Sequence, residues 1–135
     1  GTSGSQAPMA DSVAVAAKSL SVSESAGSRS ARAWIALLDM RRWRESWDSA
    51  GTLFKSQISK ESWDSAIRPV RMPLGPVSSR NLQTITKTTS LPNAPTGEYE
   101  VIQFKTNFAQ KRDAIETVIL AREGSDWKVN GYFIR

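Results

Sequence analysis

The apolar residues of this chain change period once, at Pro73-Leu-Gly75-Pro76, and that change restricts the fold more than any other feature. Upstream, they recur at helical spacing. Trp34, Leu37, Leu38 and Arg41 follow i, i+3, i+4, i+7, with Ala31 one turn earlier, which predicts a helix over Arg29–Arg42 capped by Ser28. Arg29, Arg32 and Asp39 are expected to face water. Trp43–Ala50 reads as a second short helix interrupted by Gly51, and Thr52–Gln57 as a further turn burying Leu53 and Phe54. Ser59 caps a third main helix, Lys60–Arg68. Pro69 lacks the N–H and clashes with the preceding turn, so this helix is expected to end or kink there.

Downstream, the pattern is that of strands. Val77–Thr89 is rich in Thr, Val and Ile, although its alternation is untidy. Glu98–Phe108 alternates well, with Ile102, Phe104, Thr106 and Phe108 on one face. Ala109–Asp113 reads as a hairpin loop. Ala114–Arg122 is apolar on both faces, as a central strand would be. Glu123-Gly-Ser-Asp126 is the next turn. In the last strand, Trp127–Arg135, Trp127, Val129 and Phe133 are placed on one face with Gly131, where a bulge or close contact is expected. Short connections make the strands sequential antiparallel neighbours. The fold class is therefore α+β, with N-terminal helices on one face of a curved four-stranded antiparallel meander.

A length of 135 residues suits one domain. Residues 1–27 are assigned to a loosely held arm and 28–135 to the domain. Gly1–Pro8 reads as linker or vector-derived sequence, and Asp11–Leu20 as a short helix of small side chains. The charge of +5, from 18 basic and 13 acidic residues, favours acidic partners without identifying nucleic acid. No cysteine or histidine is present, which removes disulfides, the usual triads and the commonest metal ligands. Neither a phosphate-cradling glycine motif nor an Asp-rich calcium loop occurs, so no metal or cofactor is expected. No apolar run reaches the ~20 residues of a membrane helix.

Four constellations bear on function. The hexapeptide Glu-Ser-Trp-Asp-Ser-Ala occurs at Glu45–Ala50 and again at Glu61–Ala66. It reads as two amphipathic helices using similar residues rather than a two-fold site, because the offset of 16 residues is shorter than usual solenoid units. Asp48 and Asp64 hold equivalent places in the two copies. They are read as i,i+4 partners of Arg44 and Arg68 in preference to an acid–base pair. The cluster Arg29, Arg32, Arg41, Arg42 and Arg44, with Trp34 and Trp43 among it, is read as a solvated helix face in preference to a single-strand nucleic-acid site. Of five tryptophans, Trp43 is expected to be the exposed one. Should the helical layer leave an apolar cleft over the sheet, Trp34, Trp63, Phe104 and Phe133 are the residues chosen to line it, although a filled core is the preferred reading.

Several runs carry a family likeness: Trp34–Asp39, Glu45-Ser-Trp47, Val70-Arg-Met-Pro-Leu-Gly75, Thr89-Ser-Leu-Pro92, Gly97–Phe104 and Trp127–Arg135. Together they resemble a bacterial family catalogued as domain of unknown function 4019, over about Ala31 to Arg135. Pro69 departs from the pattern. The resemblance implies a small exported or periplasmic domain similar to cystatin-like or nuclear-transport-factor-2-like folds; no intact signal peptide is read at the N-terminus, which lacks a basic start followed by an apolar core. The resemblance supplies no activity and no catalytic residue. The expected function is a non-enzymatic binding or interaction domain for a small apolar ligand or a protein partner. The alternative is a small isomerase or hydrolase using a cleft carboxylate, and Glu116 is the residue to watch. If Glu116 faces a pocket the enzyme gains; if it pairs with a cross-strand Lys or Arg the enzyme loses.

Overall fold

The computed structural model describes residues 22–135, so the expected Asp11–Leu20 helix lies outside the described residues. The first helix, α1 (Ala26–Asp39), starts earlier than expected. Ser25 is the cap, and Ser28 sits at the third helical position, where the two serines cap each other's backbone N–H reciprocally. The buried stripe is Ala31, Trp34, Ile35 and Leu38; Leu37 lies on its flank.

Helix α1 ends in a reversal. Arg42 N–H donates to Leu37 O (2.8 Å) and Arg41 N–H to Leu38 O (3.0 Å), the paired bonds of a Schellman turn. The left-handed position of such a turn usually holds glycine, but here it holds Arg41, at φ 61°. Replacing Arg41 by glycine is expected to stabilise the fold by about 1 kcal/mol, read as a higher denaturant midpoint. A lower midpoint would mean that the arginine side chain more than offsets its backbone strain.

Helices α2 (Trp43–Asp48), α3 (Thr52–Gln57) and α4 (Lys60–Arg71) complete the helical layer, and a 3-10 turn, Met72–Leu74, closes it. Because the reversal redirects the chain, Trp43 turns inward and is buried, contrary to the expectation of exposure. Helix α4 runs through Pro69 to Arg71 instead of stopping at Arg68. Pro69 and Ser65, whose carbonyl loses its partner, are both exposed, so water can take the missing bond. Pro69→Ala is expected to restore that bond and raise stability by about 1–2 kcal/mol in urea unfolding, once the greater freedom of the unfolded chain is deducted. A loss would show that the proline ring is needed where it packs.

Strands β1 (Val77–Thr88), β2 (Tyr99–Phe108), β3 (Lys111–Glu123) and β4 (Asp126–Ile134) form one antiparallel sheet in the order β1-β2-β3-β4. This is the expected helices-then-meander architecture. The untidy alternation of β1 has a cause: the register shifts between Val77 and Ser79 and again between Leu82 and Thr84, so Leu82 and Ile85 both reach the core. Strand β2 turns Ile102, Phe104, Thr106 and Phe108 inward, as its pattern predicts. Among the described residues, no helix is long and apolar enough to cross a membrane.

The bulge expected near Gly131 is present, and it inverts the facing of the residues beyond it. Leu120 pairs with Val129 and Ile119 with Gly131, which leaves Asn130 as an extra residue. One added residue reverses every later side chain. Tyr132 therefore packs inward, while Phe133, expected on the inner face, lies on the opposite one and is 58% exposed. Helix α3 holds the bulge in place. Asn130 Oδ1 accepts from Phe54 N–H at 3.2 Å and Gly51 N–H donates to Val129 O at 2.7 Å. A Cβ on Gly51 would stand 2.2 Å from Asn130 Oδ1, so any larger residue there has to displace the side chain that accepts from Phe54 N–H.

Candidate functional site

Four charged side chains from four elements meet beneath the helical layer. Asp39 comes from the last turn of α1, Arg71 from the last turn of α4, Arg80 from β1 and Glu116 from β3. Asp39 accepts from Arg71 Nη2 (2.7 Å) and from Arg80 Nη1 and Nη2 (2.7 and 3.1 Å). Arg80 also reaches Glu116, with Nε 2.7 Å from Oε1 and Nη2 3.3 Å from Oε2. Thr106 Oγ1 donates to Glu116 Oε1 and Tyr132 OH to Oε2. Glu116 is fully buried and both its oxygens are taken.

This pattern fixes protons rather than moving them. Burial would raise the Asp39 carboxyl, but hydrogen bonds from Arg80 and Arg71, and their charges, hold it below the usual value. Burial works against the charge on Arg80, yet Asp39 and Glu116 keep it more firmly protonated than a free arginine. Burial, then the neighbouring Glu116 charge, raises the Tyr132 phenol, so it stays a donor. For Asp39 the sign of the linkage follows directly. Its folded pKa is lowered, so its stabilisation is present above the unfolded value of ~3.9 and is lost as pH falls through the folded value. The stability curve below about pH 4 should be shallower in Asp39→Asn than in the parent, by urea titration at stepped pH. Equal slopes would remove Asp39 from the acid transition.

A cavity of about 270 Å³ adjoins this cluster, with Asp39, Arg41 and Arg71 among its lining and Leu38, Trp43, Met72 and Pro76 as apolar wall. Arg71 is buried. Its Nη2 is held by Asp39, while Nε and Nη1 have no hydrogen-bond partner among the described residues. Its Cζ lies 4.9 Å from the Phe108 ring centroid, a contact that offsets part of the cost of burying the charge. A second cavity, about 550 Å³, lies between α3 and the ends of β2 and β3, with Leu53 and Tyr99 in its wall. Its charged rim is internally matched: Arg122 pairs with Glu98 at 3.2 Å, and Glu123 accepts from Thr52 N–H and Oγ1.

The residues chosen for an apolar cleft do not share one. Trp34, Trp63 and Phe104 are buried in the common core. Trp34 lies 6.1 Å from Trp63, 6.4 Å from Phe54 and 5.6 Å from Tyr132, ring centre to ring centre. Phe133 is on the far face of the sheet, turned there by the extra residue Asn130. The two hexapeptides differ in role. Ser46 is buried and accepts from Trp63 Nε1 (2.9 Å), whereas Ser62 is exposed; Trp63 is buried, whereas Trp47 is only half-buried. Asp64 pairs with Arg68 as expected, but Asp48 pairs with Lys60 (2.7 Å) rather than Arg44, which reaches across to Glu61 and Asp64. In the basic cluster, Arg32 and Arg42 are likewise paired, with Glu24 and Glu45.

Several inward charges carry no motif that sequence reasoning could single out. Glu100 faces the core from β2 and accepts from Ser25 Oγ at 2.7 Å beneath the start of α1. The parity of Ile102 and Phe104 already places it inside. Asp39 is exposed, as expected, with 26% of its side chain in water, but it also binds two arginines. Arg71 sits four residues after Ile67 and eight after Trp63, on the buried stripe of α4, and Arg80 shares its face with Leu82.

A family model described as "Protein of unknown function (DUF4019)" matches residues 30–132. No curated protein matches the chain.

Proposed function

We propose that this chain, which belongs to the DUF4019 family, is a non-enzymatic binding domain exported from a bacterial cell. The observation that carries the reading is the state of Glu116. It pairs with a cross-strand arginine, and each of its oxygens accepts two hydrogen bonds. A general base must be within reach of a substrate proton and free to take it. Glu116 meets neither condition, and Asp39, beside the smaller cavity, is a weaker base than an ordinary carboxylate. That weighs against the isomerase or hydrolase alternative of the nuclear-transport-factor-2-like kind. The filled aromatic core leaves the outer cavities and the sheet surface as the places for recognition. Export is what the resemblance to small exported domains implies, and fractionation of host cells that express the protein from its own gene tests it.

Binding and catalysis separate in one experiment. The protein is screened by thermal shift against a panel of small metabolites, and each stabilising compound is then incubated with it and followed by mass spectrometry. Stabilisation without conversion is the expected result. Conversion of any such compound, abolished in Glu116→Gln, would overturn the reading in favour of the enzyme.

A further inference from the structure

We infer that the cavity over Arg71 is a binding site for a small carboxylic acid with a short apolar body. The inference rests on the proposed binding role and names its ligand class. Three observations meet there. The first is Arg71, 3% exposed at its side chain, which lines the cavity and carries two N–H-bearing nitrogens without partners among the described residues. Buried donors are nearly always satisfied, and a planar guanidinium matches a carboxylate. Asp39 does not use up this capacity, because it is shared with Arg80.

The second observation is charge. Around the cavity and the network beneath it stand Arg41, Arg71 and Arg80 against Asp39 and Glu116, three positive and two negative, leaving one positive charge. One carboxylate balances that excess. A phosphate dianion exceeds it and would face the Asp39 carboxylate in the lining. The third observation is Arg41 itself. It occupies the left-handed position at the end of α1, where glycine is free of strain, and it puts a cationic residue in the cavity lining. The walls Leu38, Trp43, Met72 and Pro76 supply the apolar surface for the body of the acid. A volume of about 270 Å³ is just below the usual range for drug-sized ligands, which fits a small acid.

The test is a titration of the ¹⁵N-labelled protein with 3-phenylpropanoate, with its amide and with inorganic phosphate. The indole signal of Trp43 and the Nε–H signal of Arg71 are followed. The acid is expected to shift both, and the amide and phosphate to bind at least about tenfold more weakly, the loss of one charge-assisted pair. Arg41→Gly removes a cation while relieving the backbone. It should raise the unfolding midpoint and weaken the acid by about fivefold or more, a split that general destabilisation cannot produce. In Arg71→Lys the guanidinium signal goes with the residue, and the acid should no longer shift the Trp43 indole signal. A tetrapeptide ending in Phe, with a free and with an amidated C-terminus, distinguishes a chain-terminal carboxylate from a small acid; binding of the free peptide as tightly as the acid would overturn the small-acid assignment. The inference also falls if the amide binds as well as the acid, if Arg41→Gly leaves affinity unchanged, or if no shift occurs. Should metabolites stabilise the protein without conversion while 3-phenylpropanoate does not bind, the binding reading stands and the carboxylate site alone is refuted.

Discussion

Replacing Glu116 by alanine is expected to cost the protein about 3–5 kcal/mol, the loss typical of breaking a buried ion pair from one side. The side chain is fully buried, and its removal strands three groups. Arg80, with 10% of its side chain exposed, keeps only the partly exposed Asp39 as counter-ion. The Thr106 and Tyr132 hydroxyls lose their acceptor inside the core. Most of the penalty comes from these stranded groups rather than from the attraction lost. Two companion variants separate the contributions. Glu116→Gln keeps the shape and part of the hydrogen bonding but not the charge, and should cost about 1.5–3 kcal/mol. The double variant Glu116→Met, Arg80→Met removes both charges together and should recover the share of the loss due to the stranded Arg80, because Asp39 retains Arg71, while the Thr106 and Tyr132 hydroxyls still lack their acceptor. Urea unfolding with an unchanged m-value is the measurement. A loss below about 1 kcal/mol in Glu116→Ala would mean that water already reaches the cluster.

The architecture is legible in the sequence because its signals are local. A period of 3.6 gives way to a period of 2 across two prolines and a glycine, and short turns leave a meander as the simple topology. The inward face of β2 can be read at Ile102, Phe104, Thr106 and Phe108 because the extra residues at the register shifts beside that stretch fall on β1 and β3, and β2 itself keeps its parity. Strand β4 departs from its pattern where a tertiary demand enters. Asn130 is pushed out of the ladder so that its side chain can cap α3 at Phe54 N–H, and parity inverts beyond it. Gly131 marks the place but not the number of residues inserted. Pro69 departs for a different reason: a lost helical bond is costly when buried and cheap on a wetted face, and the rule does not specify the face.

The candidate site is less legible than the fold. Asp39, Arg71, Arg80 and Glu116 lie on four elements, and the bond from Arg80 to Asp39 spans 41 residues of sequence. No spacing rule joins them. What can be read singly is the anomaly of three of them: an arginine on the apolar stripe of α4, another opposite Thr106 in β1, a glutamate between Ala114 and Val118 in β3. Charges on inward positions must find one another or water, so taken together they point to a network. The orphaned donors of Arg71 have no signature in the sequence, because they depend on which side of the guanidinium Asp39 occupies.

Trp34→Ala should destabilise the protein by about 3–5 kcal/mol, as for other fully packed aromatic residues cut to alanine. Trp34 is 4% exposed and central to the aromatic group, within ring contact of Phe54, Trp63 and Tyr132. Its indole N–H donates to Ser46 O at 2.8 Å, which ties α1 to α2. Trp34→Phe retains a ring and loses that bond, so about 1–2 kcal/mol is expected, mostly for the change in packing and the lost hydrogen bond. The alanine variant also decides whether this layer is a core or a ligand cleft. In a filled core, truncation creates an apolar void, and apolar voids of this kind bind small aromatic molecules. Added indole should then raise the unfolding midpoint of Trp34→Ala and leave the parent protein unmoved. If indole stabilises the parent as strongly as the variant, space for a ligand already exists beside Trp34, and the aromatic layer is a binding cleft after all. If the variant loses less than about 1.5 kcal/mol, the neighbouring rings have collapsed into the gap, and the packing around Trp34 is looser than its contacts imply.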